Sequence, residues 1–330
     1  MSAPMTHDQL TAVPTPSNAP SLTVVRTTRE ADDIISLVLA HPAGEKLPGW
    51  TPGAHVDVIL GSGLVRQYSL CGDPADDMNW RIAVLREEHG RGGSIYLHDE
   101  VQAGWLLPVG PPRNNFPLVP SRRYILIAGG IGITPLLPMI TELDKRDAEW
   151  TLFYGGRQRT SMAFLDELSA HQDRIAIHPQ DESGLLPLEH ILGQPEIGTA
   201  VYCCGPEGLL TAVEAACGGW PAGAVHVERF RPRERPDDRP ADTAFDVVIG
   251  STGQKIRVGA DRTILQTLER AGFDVPSSCR EGTCGNCETR FIAGDVDHRD
   301  EVLTIEEQRT GDALMICVSR ARTDSLVLDI

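Results

Sequence analysis

At 330 residues, with 41% hydrophobic and 5% aromatic content, the chain has room for two or three globular domains and is neither fibrous nor disordered as a whole. Its formal charge of −16, from 30 basic and 46 acidic residues, repels phosphate backbones and anionic lipid and so argues against nucleic acid and membrane surfaces as partners. The longest charge-free apolar stretch, Tyr124 to Ile140, is 17 residues broken by three glycines and two prolines, short of the ~20 that span a bilayer.

Residues 1 to 20 hold four prolines, no aromatic and few aliphatics, and are expected as a disordered leader without the basic-then-apolar order of a targeting peptide. From residue 21 to 120 the runs LTVVRTTR, IISLVLA, HVDVIL, VRQYSL, WRIAVLRE and WLLPV, separated by Gly, Pro and Asp, predict a small antiparallel β-barrel. GRGGS at 90 to 94 falls just before a short helix, SIYLHDE.

The rhythm changes over 121–230. YILIAGG at 124 to 130 reads as a buried strand, and TPLLPMITELDKR as a helix with Thr134 at the N-cap and Pro135 in its first turn. WTLFYGG, a helix near 161 to 170, RIAIHP, a short helix near 187 to 192, TAVYCCG, a helix from Pro206, and AVHVERF continue the alternation. Strand and helix in turn predict an α/β domain with a parallel sheet. A proline- and charge-rich linker at 231–242 precedes an α+β domain at 243–330, where FDVVIG and KIRVG form a hairpin and RTILQTLERAG a helix.

That last domain carries CREGTCGNC. Cys279, Cys284 and Cys287, with Cys317 thirty positions on, stand at the C-x4-C-x2-C...C spacing of a plant-type [2Fe-2S] ferredoxin site. Zinc sites more often pair their thiols across a dozen or more residues. The other cysteines, Cys71, Cys203, Cys204 and Cys217, show no disulfide-framework spacing, and the chain reads as reduced and cytoplasmic. None of the ten histidines shows metal-ligand spacing.

A [2Fe-2S] centre takes one electron and a nicotinamide gives two, so coupling them needs a mediator that accepts a pair and releases singles. Flavin is the usual one. In the barrel, Arg66 offers a guanidinium fork to a phosphate and the GRGGS glycines offer backbone N–H groups. GGIGITP at 129 to 135 and CCGPEGLL at 203 to 210 lie at strand ends with a helix behind, where open parallel sheets bind nucleotides. By the commoner fate of a free thiol, Cys203 is assigned to the core and Cys204 to the site.

RQYSLC, IAVLREEHGRGGS, GGIGITP, CGP, ERF and the thiol array, in that order over residues 21 to 330, resemble the phthalate dioxygenase reductase family, to which vanillate demethylase reductases and related Rieske-oxygenase reductases belong. The resemblance implies FMN, NADH and a [2Fe-2S] cluster as cofactors, and a separate terminal Rieske-type oxygenase as partner. It implies that Arg66, Arg91, Gly92, Gly93 and Ser94 hold the FMN phosphate and that Tyr68 and Ser69 lie against the flavin ring, with the serine hydroxyl towards the reactive N5. Ala83 and Val84 follow as backbone contacts. Thr134 would sit where flavin and nicotinamide meet, Gly130 and Gly132 at the pyrophosphate, and Cys204, with Gly205 and Pro206, at the nicotinamide. Phe230 would cover the flavin, and Glu228 would be structural or near the nicotinamide. Ser69, Thr134 and Cys204 are thus the candidate catalytic residues.

One departure leaves the coenzyme open. No acidic residue closes the second strand of the nucleotide domain; Arg157 and Arg159 follow it instead, and arginines can accept the 2'-phosphate of NADPH. Two other readings are an FAD-type reductase feeding a P450 or diiron hydroxylase, and a ferredoxin-like carrier or redox sensor. Electron exchange between transient partners suits a monomer.

Overall fold

The computed structural model describes residues 19–61, 63–233 and 241–330. Most of the expected leader and the middle of the expected linker therefore lie outside the described residues. The chain forms two compact units, Met1–Glu228 and Arg229–Ile330.

In the first unit, β1 (Ser21–Ala31), β2 (Ile34–Ala40), β5 (Asn79–Leu85) and β6 (Leu106–Pro108) form a curled antiparallel sheet of order β5-β2-β1-β6, while β3 (His55–Ile59) pairs with β4 (Val65–Ser69). Single bridges, Val58 to Val109 and Leu70 to Ile82, join the two sheets into a partly closed barrel. The β1–β2 hairpin turns at Asp33, whose φ of 58° is left-handed, a conformation Asp tolerates better than most side chains.

The same unit holds an all-parallel five-stranded sheet of order β11-β10-β7-β8-β9, from β7 (Arg123–Gly129), β8 (Glu149–Gly156), β9 (Ile175–Pro179), β10 (Thr199–Cys204) and β11 (Val225–Glu228). Helices cover both faces of such a sheet, so β7 and β10 are buried almost throughout and read as unbroken apolar runs. Alternation across β10 splits its two thiols. Cys203 packs in the core with Ile127, Val201 and Leu210, and Cys204 in the opposite core with Ala128 and Tyr154.

That second core extends to Ile34 and Ala83 of the antiparallel sheets and to Cys71 just beyond β4, so the barrel and the parallel sheet share buried apolar surface. Polar ties add to it. Arg81 grips Glu167 with two nitrogens at 2.8 and 3.0 Å, and Tyr202 Oη donates to the Pro117 carbonyl while accepting from Val119 N–H, pinning the connection between the sheets.

Two expectations need correcting. Thr134 is not a helix N-cap: a 3-10 turn, Gly130–Ile133, runs directly into the helix Leu136–Lys145, and the Thr134 hydroxyl donates back to the Ile131 carbonyl at 2.9 Å. No continuous helix spans 161 to 170 either. Phe164 takes φ 64° and only Leu165–Leu168 is α-helical, followed by a 3-10 stretch, Ser169–Arg174, that kinks at His171.

The second unit is a five-stranded sheet of order β13-β12-β18-β14-β16, built from β12 (Phe245–Ile249), β13 (Lys255–Val258), β14 (Glu288–Ala293), β16 (Ala313–Met315) and β18 (Ser325–Leu328). The short strands β15 (Val296–Asp297) and β17 (Arg320–Ala321) form a separate pair. The helix Ile264–Arg270 begins with a reciprocal capping box between Thr263 and Gln266, worth about 1 kcal/mol. Buried Arg320 donates to the carbonyls of Arg262, Thr243 and Gly259 and stacks 5.1 Å from the Phe245 ring centroid, tying three loops together.

Candidate functional site

Cys279, Cys284, Cys287 and Cys317 are all buried in one place. Cys284 and Cys317 flank Cys279, and Cys317 also meets Cys287, so the loop and the distant thiol converge. The mutual contacts split the four: Cys279 is pushed down chiefly by the Cys284 thiol and Cys287 by that of Cys317, while Cys284 and Cys317 go up, both chiefly through Cys279. Two backbone N–H groups reach sulfur, Glu281 to Cys279 Sγ at 3.3 Å and Cys279 to Cys284 Sγ at 3.5 Å, the kind of bond that raises a cluster's potential.

Among the described residues, no three His, Cys, Asp or Glu side chains surround a single ion. A two-iron cluster asks for something different, two thiolates on each iron with inorganic sulfide between. Cys279 beside Cys284 and Cys287 beside Cys317 fit that demand as two thiol pairs.

The loop is held from behind. Gly282 takes φ +78°, and a Cβ there would lie 2.7 Å from Val318 Cγ2, so only glycine fits. Its carbonyl accepts the Glu301 N–H at 2.9 Å. The neighbouring Asp300, with its side chain wholly enclosed, accepts from Leu303 N at 2.8 Å and Val302 N at 3.2 Å, and Glu301 pairs with Arg229 and Arg233. Sequence reasoning missed Asp300 and Glu301, which follow no spacing rule. Arg280, within the loop, is exposed and paired with Glu269, with its backbone at φ 61°.

In the first unit, the Arg66–Ser69 strand and the GRGGS turn are brought together: a Cβ on Gly93 would lie 3.1 Å from Arg66 Cγ and 3.0 Å from Leu60 Cδ1. The Ser94 hydroxyl accepts the Glu87 N–H at 3.0 Å, bracing the turn against the end of β5. Gly92 caps the helix Gly93–Asp99 and Arg91 stands exposed beside it. Tyr68 packs against the barrel core, and burial pushes its phenol above the ordinary range.

Ser69 Oγ is buried and has no hydrogen-bond partner among the described residues. A buried hydroxyl left so costs about 1–3 kcal/mol, which a polar ring atom of a bound flavin would offset. The site residues therefore fit the flavin. Ala83 and Val84 are buried in β5, and the Val84 carbonyl is engaged by His98 Nε2 at 2.9 Å.

At the ends of β7 and β10 the backbones nearly touch. A Cβ on Gly132 would fall 2.1 Å from the Cys204 carbonyl oxygen and 2.7 Å from Gly205 N, so glycine is required there for close approach. Gly130 leads the turn at φ 55°, and Pro206 caps the helix Glu207–Ala216. The Cys204 thiol is fully buried, 3.9 Å from Glu228 Oε2. Burial, with Glu228 beside it, raises the thiol well above its ordinary value, and burial pushes the Glu228 carboxyl up to about 8. Glu228 keeps some accessible surface, but its shift follows the deep placement of the carboxyl group. Phe230 stands 43% exposed at the start of the second unit.

Arg157 and Arg159 follow β8 as expected. A pairing unseen in the sequence is that Arg159 is held by Glu182 of the short helix Gln180–Ser183.

Two family models match: the 2Fe-2S iron-sulfur cluster binding domain over residues 247–322 and the oxidoreductase NAD-binding domain over 126–183. The chain is 42% identical to the phthalate 4,5-dioxygenase oxygenase reductase subunit of Pseudomonas putida, over 94% of this chain and 96% of that protein. The solved structure of phthalate dioxygenase reductase, described as modular for electron transfer from pyridine nucleotides to [2Fe-2S], is 37% identical with TM-score 0.69, covering 94% of this chain and 97% of the other. An intact type IV self-sufficient cytochrome P450 monooxygenase aligns at TM-score 0.90 and 43% identity over 94% of this chain. The chain spans about two fifths of that protein's length, 41%.

Proposed function

The chain belongs to the phthalate dioxygenase reductase family, and from that premise we propose that it is the NADH-dependent reductase component of a Rieske-type oxygenase system, carrying FMN and a [2Fe-2S] cluster. The observation that carries the reading is the convergence of four buried thiols at plant-type spacing in a chain that also holds a nucleotide-binding parallel sheet. When bound, the two groups supply a two-electron acceptor for NADH and a one-electron outlet.

The chain's own residues bind and orient. Arg66 and Arg91, with the Gly92, Gly93 and Ser94 backbone, hold the flavin phosphate by charge and N–H donation. The Ser69 hydroxyl fixes the ring edge, and Tyr68 lies along its face. Gly130 and Gly132 let the coenzyme's pyrophosphate approach the turn after β7, with Arg157, Gly205 and Pro206 at its flanks. Thr134 and Cys204 line the place where the two rings meet. Glu228, neutral below about pH 8, keeps a buried negative charge away from an anionic coenzyme.

No proteinaceous acid, base or nucleophile is needed; distance and orientation do the work. The acidic chain would dock through its cluster loop onto a basic patch of the oxygenase, as a soluble monomer in the cytoplasm. No helix among the described residues is long and apolar enough to cross a membrane.

The Cys284→Ser variant tests the order of transfer. NADH should still bleach its flavin, while reduction of a purified Rieske-type oxygenase falls to background. Loss of flavin reduction in folded variant protein would overturn the reading. The 43% identity to a P450-fused protein favours a haem partner as the second reading. A purified P450 reduced faster than the Rieske protein in the same assay would select it.

A further inference from the structure

We propose that Glu182 selects NADH over NADPH, by occupying Arg159 with a two-point ion pair where a 2'-phosphate would need that guanidinium. The inference rests on the nicotinamide-dependent reading above and adds a specificity residue to it.

In an open parallel sheet the coenzyme lies across the carboxyl ends of the strands. Its pyrophosphate meets the first strand-to-helix turn, and its adenosine ribose lies over the end of the neighbouring strand. Here the first strand is β7 and the neighbour away from the switch point is β8. Directly after Gly156, the last residue of β8, come Arg157, Gln158 and Arg159. Two arginines at that place would ordinarily favour a 2'-phosphate.

The structure removes one of them. Arg159 Nε donates to Glu182 Oε1 at 3.0 Å and Nη2 to Oε2 at 2.8 Å, a fork that uses one whole edge of the guanidinium. Parallel pairing delivers the carboxylate: Gly156 lies opposite Pro179, after which the helix Gln180–Ser183 begins, and Asp181 N–H bonds the Arg157 carbonyl at 3.2 Å. Glu182, and more weakly Asp181, hold the Arg159 proton more tightly than usual.

The side chains are 51% and 47% exposed, so a ligand can reach the pair, and an exposed pair of this kind is individually weak. Its effect on coenzyme choice is therefore larger than its own strength. A 2'-phosphate must either displace Glu182 from that edge or take the remaining guanidinium donors, and in both cases it sits beside both carboxylates, whereas a 2'-hydroxyl meets a carboxylate already placed to accept its hydrogen bond. Replacing a charged acceptor by a neutral one weakens the bond to the hydroxyl, and removing the charge relieves the phosphate, so both changes move the preference in one direction.

The test is steady-state reduction of an artificial dye by the holoprotein with NADH and with NADPH, for the wild type, Glu182→Gln and Glu182→Gln/Arg159→Gln. In Glu182→Gln the ratio of kcat/KM for NADPH to that for NADH should rise roughly tenfold, carried by a lower KM for NADPH with little change in its kcat. Inhibition by adenosine 2',5'-bisphosphate should tighten relative to ADP, and the double variant should lose both gains. An unchanged ratio, or a parallel decline with both coenzymes, would make the pair a structural staple between two loops and overturn the proposal. A wild type preferring NADPH would overturn it too. Dye reduction by neither coenzyme would instead sink the nicotinamide reading itself.

Discussion

Glu228 shows how one buried group can set a pH dependence. Its carboxyl is pushed up to about 8 by burial, while in the unfolded chain it titrates near the ordinary value of 4.5. Below the lower value both states are protonated and no penalty exists. Between the two, the unfolded chain ionises and the folded protein does not, so stability falls as pH rises and levels off above about 8. Glu228→Gln removes this slope: its Tm relative to wild type should be higher at pH 8.5 than at pH 5, measured by thermal unfolding of the flavin-loaded protein. An equal Tm difference at both pH values would mean that the carboxyl is not held neutral. Ser69 is the counterpart that does not titrate, a buried hydroxyl with no hydrogen-bond partner among the described residues, at which we propose that a flavin ring atom sits.

At the scale of elements, the turn after β7 is the tightest junction. Gly132→Ala would drive a methyl group into the Cys204 carbonyl, a backbone clash that rotamers cannot relieve. We expect a loss of about 2–4 kcal/mol in denaturant unfolding, and weakened nicotinamide binding in whatever protein remains folded. A loss below about 0.5 kcal/mol would show that the two strand ends separate easily. Much of this region was legible in the sequence. YILIAGG and TAVYCCG read as parallel strands because burial on both faces requires unbroken apolar runs, and the thiol array read as a cluster site because its spacing is rigid. What could not be read depends on register or tertiary context. The Thr134 cap was a local expectation overruled by the 3-10 turn ahead of it. The helix expected at 161 to 170 is broken because Phe164 turns left-handed into the core. Glu182 meets Arg159 only because β9 lies beside β8 in a particular alignment, which no local pattern encodes. Asp300 and Glu301 likewise support the cluster loop from a segment whose sequence looks like any acidic turn.

At the scale of the whole molecule, a parallel-sheet nucleotide site and a thiol-lined cluster site are carried on one acidic polypeptide. A net charge of −16 makes docking onto a basic partner fast at low salt and slower as salt screens it. The central claim is that paired electrons enter at the first site and leave singly from the second. The most direct measurement is an anaerobic titration of the purified holoprotein with NADH, without any oxygenase, followed by ultraviolet-visible and electron paramagnetic resonance spectra. The account predicts that NADH bleaches the flavin and cluster bands together and raises the signal of a reduced [2Fe-2S] centre. Flavin bleaching beside a cluster that stays oxidised, in protein analysed to contain iron and sulfide, would contradict it.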